Sequence, residues 1–507
     1  MSTRTRDILL VGLGAAVIRI PAFLSFQQLG FDDGQFAESV LAMRAGGLPF
    51  RDVFSSQGPL FLPMAWLGDL LTGRTIDSPR AIAVLSGIAL AITIYLAGRM
   101  LTTRAGALLA AALVAASGSV LWTTGPLTSD GLGEACATGC VAAALAYRRK
   151  PSIGWIVAIG VLAGAAFSVK SLLEIPAIVA AGLMVVDRRR LRDIVLVPLI
   201  AVAVAFVIAL PWGLQRVYDQ SVTYHTDQAQ HREIGANATK TLRTLEQRDA
   251  PLLAAAAVAI VAAVVVRRRK RPREREGDRP DPLTLLTRGL GPIVVWLLLS
   301  LLVVLLEAPM WRNHLAHVVP AAALLVGVAA STPRVAAAIA IAALLFVPWH
   351  VAQLSELLWP RGYTGERAQV VRILKRLPSG AQVVSDDPGL VWRAGKRTPD
   401  QFVDASILRI ESDRPGLRLR RADVVRAARR PEVCAVVRVS PIRFGSFHGL
   451  GRALDQAGYE LALGGPPHAD TVWVKRACDP SGRSAAPPAP VPAGRASAAA
   501  APVRSPG

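Results

Sequence analysis

The sequence predicts an α-helical polytopic membrane protein followed by a small soluble α/β domain. Three observations lead there. Of the 507 residues, 52% are hydrophobic and only 18% charged, and the mean hydropathy is +0.41, which argues against a chain of ordinary soluble domains. The apolar residues gather in Ala/Leu/Val/Ile runs close to the roughly 20 residues that a hydrocarbon core requires. The basic residues fall in short tracts beside those runs, as in the loops of a multi-pass protein. Their excess, 57 Lys and Arg against 36 Asp and Glu, gives a net charge of +21. In a soluble chain that charge would suggest nucleic acid, but with aromatics at 6% and not interleaved with the basic residues, a nucleic-acid partner is not expected. Four cysteines are too few for a disulfide scaffold.

The apolar runs cover 8–29, 80–100, 105–122, 131–147, 153–168, 171–186, 194–212, 250–266, 289–307, 314–331 and 333–350, or about eleven transmembrane helices. Arg4/Arg6, Arg99/Arg104, Arg148–Lys150, Arg188–Arg192 and Arg267–Arg279 occupy alternate connections. That pattern places them in the cytoplasm. Asp32, Asp33, Asp130, the 213–249 segment and Glu307 to His314 then face the exterior. The expected location is the inner (plasma) membrane, with the N-terminus cytoplasmic and the C-terminal domain extracytoplasmic. The first run is long, carries Arg19 and lacks a small-residue cleavage site, so it reads as a retained anchor. Residues 153–186 form one apolar stretch broken by Lys170 and Glu174, read either as two spans or as a re-entrant hairpin. Leu60 to Leu71 reads as a helix lying on the membrane surface.

Residues 1–355 thus make a membrane domain and 356–479 a soluble one. Within the latter, Ala381–Ser385, Val433–Val439 and Thr471–Val474 read as strands, and Glu366–Leu377 and Ala422–Arg429 as helices. Cys434 and Cys478 are the domain's only cysteines, and an external location predicts that they are bridged. The Pro/Ala/Ser/Arg-rich stretch 480–507 reads as a disordered tail.

Acids at membrane boundaries carry the chemical signal, because an ionised carboxylate near hydrocarbon needs a task or a partner. Asp32 and Asp33 stand just outside the first run, and Asp130 at the outer start of the fourth. Each of these also suits a helix N-cap. Lys170, Arg312 and His314 lie at outer edges, where long basic side chains also simply snorkel. His225 and His231, spaced unlike any common metal motif, read as solvated loop residues. Cys136 and Cys140, one helical turn apart, read as packing residues.

Asp32-Asp33 with Phe36-Ala37-Glu38, then Gly46-Gly47-Leu48-Pro49-Phe50-Arg51-Asp52 and Gly58-Pro59-Leu60, resemble the first external loop of the protein O-mannosyltransferase and lipid A aminoarabinose-transferase superfamily. Arg19, Asp130, Gly164 to Lys170, and Arg312-Asn313-His314 leading to Pro320 extend the resemblance over most of residues 1–350. Two positions depart from it. Asp33 stands where Glu is usual, and Gln57-Gly58-Pro59 replaces Lys-Pro-Pro. The resemblance implies the GT-C fold and transfer of a sugar, with inversion, from a polyprenyl-phosphate donor to a protein, lipid or glycan acceptor on the outer face. It implies neither cofactor nor metal. Asp32, Asp33 and Asp130 are then the catalytic candidates, with Asp32 as the base that takes the acceptor proton. Lys170, Arg312 and His314 are the candidates for the leaving phosphate. The competing readings are a secondary transporter, or a noncatalytic wall-binding protein using Asp386, Asp387 and Asp404.

Overall fold

The computed structural model describes residues 1–228, 234–270, 289–308, 310–409, 418–464 and 470–478. His231, most of the Arg267–Arg279 tract and the 480–507 stretch therefore lie outside the described residues.

Every apolar run becomes helical, but few as straight full-length spans. Among the described residues three helices are long and apolar enough to cross a membrane, or five if two bent pairs each count as one span. The first run breaks at Ile18 and Arg19, between helices Thr3–Val17 and Ile20–Phe23. The third bends by 60° between Arg104–Ala116 and Gly118–Thr124. There Ser117 caps the second piece by accepting the Val120 amide, and the Asp249 carboxylate accepts from the Ser117 and Ser119 hydroxyls. Residues 153–186 form two helices, Ile153–Val169 and Ile175–Val186, that meet at Lys170–Glu174.

The Leu191–Ala209 helix shows what surrounds the bundle. Val195, Leu199, Val202 and Phe206 point outward and are at least half exposed, an apolar face that suits hydrocarbon and would be costly in water. Among the described residues, the basic connections around Asp7, Arg104, Arg148 and Asp187 lie beside one another. Arg104 pairs with Asp7 at 2.6 Å, Arg148 with Asp187 at 3.5 Å, and Arg149 donates to the Met100 carbonyl at 2.6 Å.

The opposite end carries the first loop as two helices, Phe31–Arg44 and Phe61–Leu71. The second was expected on the membrane surface. It buries Phe61, Leu62 and Ala65 against the first helix and leaves Leu71 exposed.

The C-terminal domain is a four-stranded sheet of β1 (Gln382–Ser385), β2 (Val433–Arg438), β3 (Tyr459–Leu463) and β4 (Thr471–Lys475), in the order β1-β2-β4-β3. β1 and β2 are parallel, and the other pairs antiparallel. β3 was not foreseen because it is an edge strand with one buried residue, Tyr459, and no β-branched residue to mark it. Cys434 and Cys478 are disulfide-bonded, as expected. The domain seats its Pro388–Arg393 helix on the Phe31–Arg44 helix, with Gly34 against Gly389.

Candidate functional site

Asp32 and Asp33 occupy the first turn of the Phe31–Arg44 helix, where the macrodipole favours acids. Neighbours on a helix point about 100° apart, and the two carboxylates differ accordingly. Asp33 is fully buried and bonded to Arg80 at 2.9 and 2.5 Å, while the amides of Leu29 and Leu127 donate to it at 2.9 and 2.8 Å. Burial pushes its carboxyl up, but the Arg80 charge and hydrogen bonds outweigh that and hold it below the usual range. Asp33 therefore ties three chain segments together. Asp32 is exposed and lines a cavity of about 970 Å³.

Asp130 begins the Asp130–Arg149 helix and is 2% exposed. Its Oδ1 lies 2.6 Å from Lys170 Nζ, 3.3 Å from His317 Nε2 and 3.7 Å from His314 Nε2. His314 Nδ1 in turn lies 2.5 Å from Glu307, and His317 Nδ1 3.4 Å from Glu174. Lys170 is held at the end of its helix by the Gln57-Gly58-Pro59 departure. The Gly58 amide donates to the Val169 carbonyl at 3.1 Å. A Cβ on Gly58 would stand 2.2 Å from the Ser168 oxygen, so only glycine allows that approach.

Arg312 donates to Gln247 Oε1 at 2.6 Å, Arg248 to Asn313 Oδ1 at 3.0 Å, and Lys240 to the Met310 carbonyl at 2.8 Å. These three cations have neutral acceptors, whereas Lys170 faces a carboxylate. All six residues singled out in the sequence, Asp32, Asp33, Asp130, Lys170, Arg312 and His314, line this same cavity. Phe167, Leu172, Ile175, Val303 and Leu306 supply an apolar wall to it.

Sequence reasoning passed over several others. Lys240 and Arg248 line the cavity, but in the sequence they sit among loop residues without a motif. His225 was read as solvated; it stands in the cavity wall with Nε2 2.8 Å from the Ser56 carbonyl. His317, three residues after His314 on the Arg312–Val318 turn, was the one with a readable signal. Ser406 and Arg443 enter the cavity from the C-terminal domain, which no sequence pattern announced. Among the described residues no group of three or more His, Cys, Asp or Glu is arranged to hold a metal ion.

A helical bundle that opens at one end on a cavity of acids and cations, beneath a small α/β domain, defines the GT-C class of membrane protein folds. The chain superimposes on ArnT from Cupriavidus metallidurans bound to undecaprenyl phosphate with a TM-score of 0.64 and 15% identity, over 92% of this chain and 97% of that one. Against the apo state of the same protein the TM-score is 0.59 at 16% identity, over 93% and 98%. The Archaeoglobus fulgidus oligosaccharyltransferase tethered to an acceptor peptide matches with a TM-score of 0.53 and 12% identity, over 92% of this chain and 74% of that one. In sequence, residues 56–214 match the dolichyl-phosphate-mannose-protein mannosyltransferase family, while no curated protein matches the chain. The superfamily resemblance read from the loop motifs is borne out in both sequence and fold.

Proposed function

We propose that the protein is a membrane glycosyltransferase that moves a sugar from a polyprenyl-phosphate donor to an acceptor hydroxyl or amine on the outer face of the membrane, with inversion. The observation that carries this reading is the composition of that cavity. It combines the exposed Asp32 carboxylate, the cations Lys240, Arg248 and Arg312 on neutral partners, and an apolar wall.

Each part has a step. Asp32 accepts the acceptor proton as the new glycosidic bond forms. The leaving phosphate gains negative charge as the anomeric bond breaks, and the fixed cations stabilise it, with Arg312 or Arg248 suited to contact two phosphate oxygens at once. The prenyl chain lies along Phe167, Leu172 and Leu306. Undecaprenyl phosphate is the molecule bound to ArnT in the structure with which this chain shares its fold. Lys170 and His314 are engaged with Asp130 and Glu307, so on this reading they shape the cavity and add positive potential behind the direct phosphate contacts. Asp33 is the anchor of the helix that presents Asp32.

The reading assigns residues 1–355 to a catalytic domain of about eleven spans and 356–479 to an extracytoplasmic domain. The direct test incubates the purified full-length protein with a panel of radiolabelled polyprenyl-phosphate hexoses and pentoses and a membrane extract as acceptor. Release of the bare lipid phosphate with one donor is expected. Release with none, alongside uptake of a free solute by reconstituted vesicles, would replace the transferase reading with transport.

A further inference from the structure

We infer that the C-terminal domain completes the site, with Arg443 as a positioning residue that holds the Asp32 carboxylate ionised and oriented and Asp404 opposing it. The inference rests on the proposed role of Asp32 as the base.

The first observation is where Arg443 stands. It is 7% exposed, lines the cavity, and its guanidinium lies 3.4 Å from the centre of the Phe31 ring, the residue immediately before Asp32. The segment that carries it is fixed. Asp386 accepts the amides of Val439, Ser440 and Phe444 at 2.8, 3.0 and 3.2 Å, and the Arg443 guanidinium donates to the Asp386 carbonyl at 2.6 Å. A cation so held keeps its place relative to the first turn of the Phe31–Arg44 helix.

The second observation is Asp404, fully buried and bonded to the amide and hydroxyl of Ser406. Ser406 lines the cavity and its hydroxyl is 2.8 Å from the Tyr224 hydroxyl. Burial pushes the Asp404 carboxyl up to about 6, and the negative charge of Asp32 adds to that rise. Asp404 thus lies within electrostatic reach of Asp32. The other titratable groups that line the cavity with Asp32 are Asp33 on its own helix, matched by Arg80, and Asp130, Lys170, His225, Lys240, Arg248, Glu307, Arg312 and His314 from the bundle. Arg443 and Asp404 are the two that belong to the C-terminal domain, and they act with opposite sign.

That opposition gives the test. The acid limb of kcat/KM against pH reports the ionisation of the base in the free enzyme. It is measured with the undecaprenyl-phosphate sugar found active in the panel, using the full-length protein and scoring liberated undecaprenyl phosphate. Arg443→Ala is expected to move the limb up by about one pH unit or more, because an opposite charge at close range lowers a carboxyl by roughly one to three units. Arg443→Lys should move it less, and adding Asp404→Asn to either variant should bring the raised limb back down, because Asp404 ionises near 6 and repels Asp32 only there. If Arg443→Ala fails to accumulate, Arg443→Lys with and without Asp404→Asn carries the comparison. Limbs that stay in place, or that move in the same direction for both residues, would overturn the inference. Full activity of Asp32→Asn would instead remove the base assignment on which it rests, so the two failures are distinguishable.

Discussion

Asp32 and Asp33 are chain neighbours of the same residue type with opposite physical situations. Asp32→Asn keeps size and shape but cannot take a proton, so transfer should fall by about 10²–10⁴-fold with the melting temperature unchanged; a variant with normal turnover would refute the base assignment. Asp33→Asn acts on the fold instead. It strips a buried Arg80 of its counter-charge, and breaking a buried pair on one side costs roughly 3–5 kcal/mol. Thermal unfolding of the detergent-solubilised variant should show that loss at neutral pH. Since Asp33 is held below the usual carboxyl range, its contribution is present above that range and fades as pH falls through the lowered native value. Arg312→Ala removes a charged donor aimed into the cavity, worth about 1.5–3 kcal/mol or roughly 10- to 150-fold in use of the lipid-phosphate donor.

The element that joins the halves of the molecule is the crossing of the Phe31–Arg44 and Pro388–Arg393 helices. A Cβ on Gly34 would lie 2.3 Å from Gly389 Cα, and a Cβ on Gly389 would lie 1.2 Å from Gln28 Oε1. One methyl group at Gly34 therefore forces the helices apart, whereas one at Gly389 displaces the Gln28 side chain. Beside this crossing Glu38 accepts the Thr398 amide at 2.9 Å, and burial pushes its carboxyl up to about 8. A carboxyl raised on folding stabilises the folded state most below its unfolded value of about 4.3. That contribution declines as pH rises and is gone above about 8. Glu38→Gln, which cannot ionise, should flatten the fall in thermal stability between those limits; an unchanged slope would show that Glu38 does not carry it.

At the scale of the whole molecule, the alternation of basic tracts along the sequence predicts a C-terminal domain outside the cytoplasm. A reporter active only outside the cytoplasm, fused after residue 355, should be active, and activity of a cytoplasm-only reporter there would overturn the eleven-span arrangement. Fixed cations on neutral partners also suit a reaction in which protein side chains, without a bound metal, balance the phosphate charge. Chelators should leave transfer unchanged, whereas loss with EDTA restored by manganese or magnesium would recast Asp32 and Asp130 as metal ligands.

The sequence by itself determined the membrane character, the two-part organisation and the six residues that come to line the cavity. Hydrocarbon imposes its length and polarity on every stretch that enters it, and charges at its edge stand out against apolar runs. The strands β1, β2 and β4 were equally legible, because each carries two or three buried valines, the β-branched apolar residues that local pattern exposes. Only the tertiary structure decided which carboxylate is buried on Arg80 and which is exposed in the cavity wall, that Lys170 faces Asp130 while Arg312 faces an amide, and that Arg443 reaches Phe31 from the far domain. Each of those depends on partners tens to hundreds of residues away along the chain. Periodicity carries no information about such pairings, because they are set by how helices cross and by which glycine lets two backbones meet.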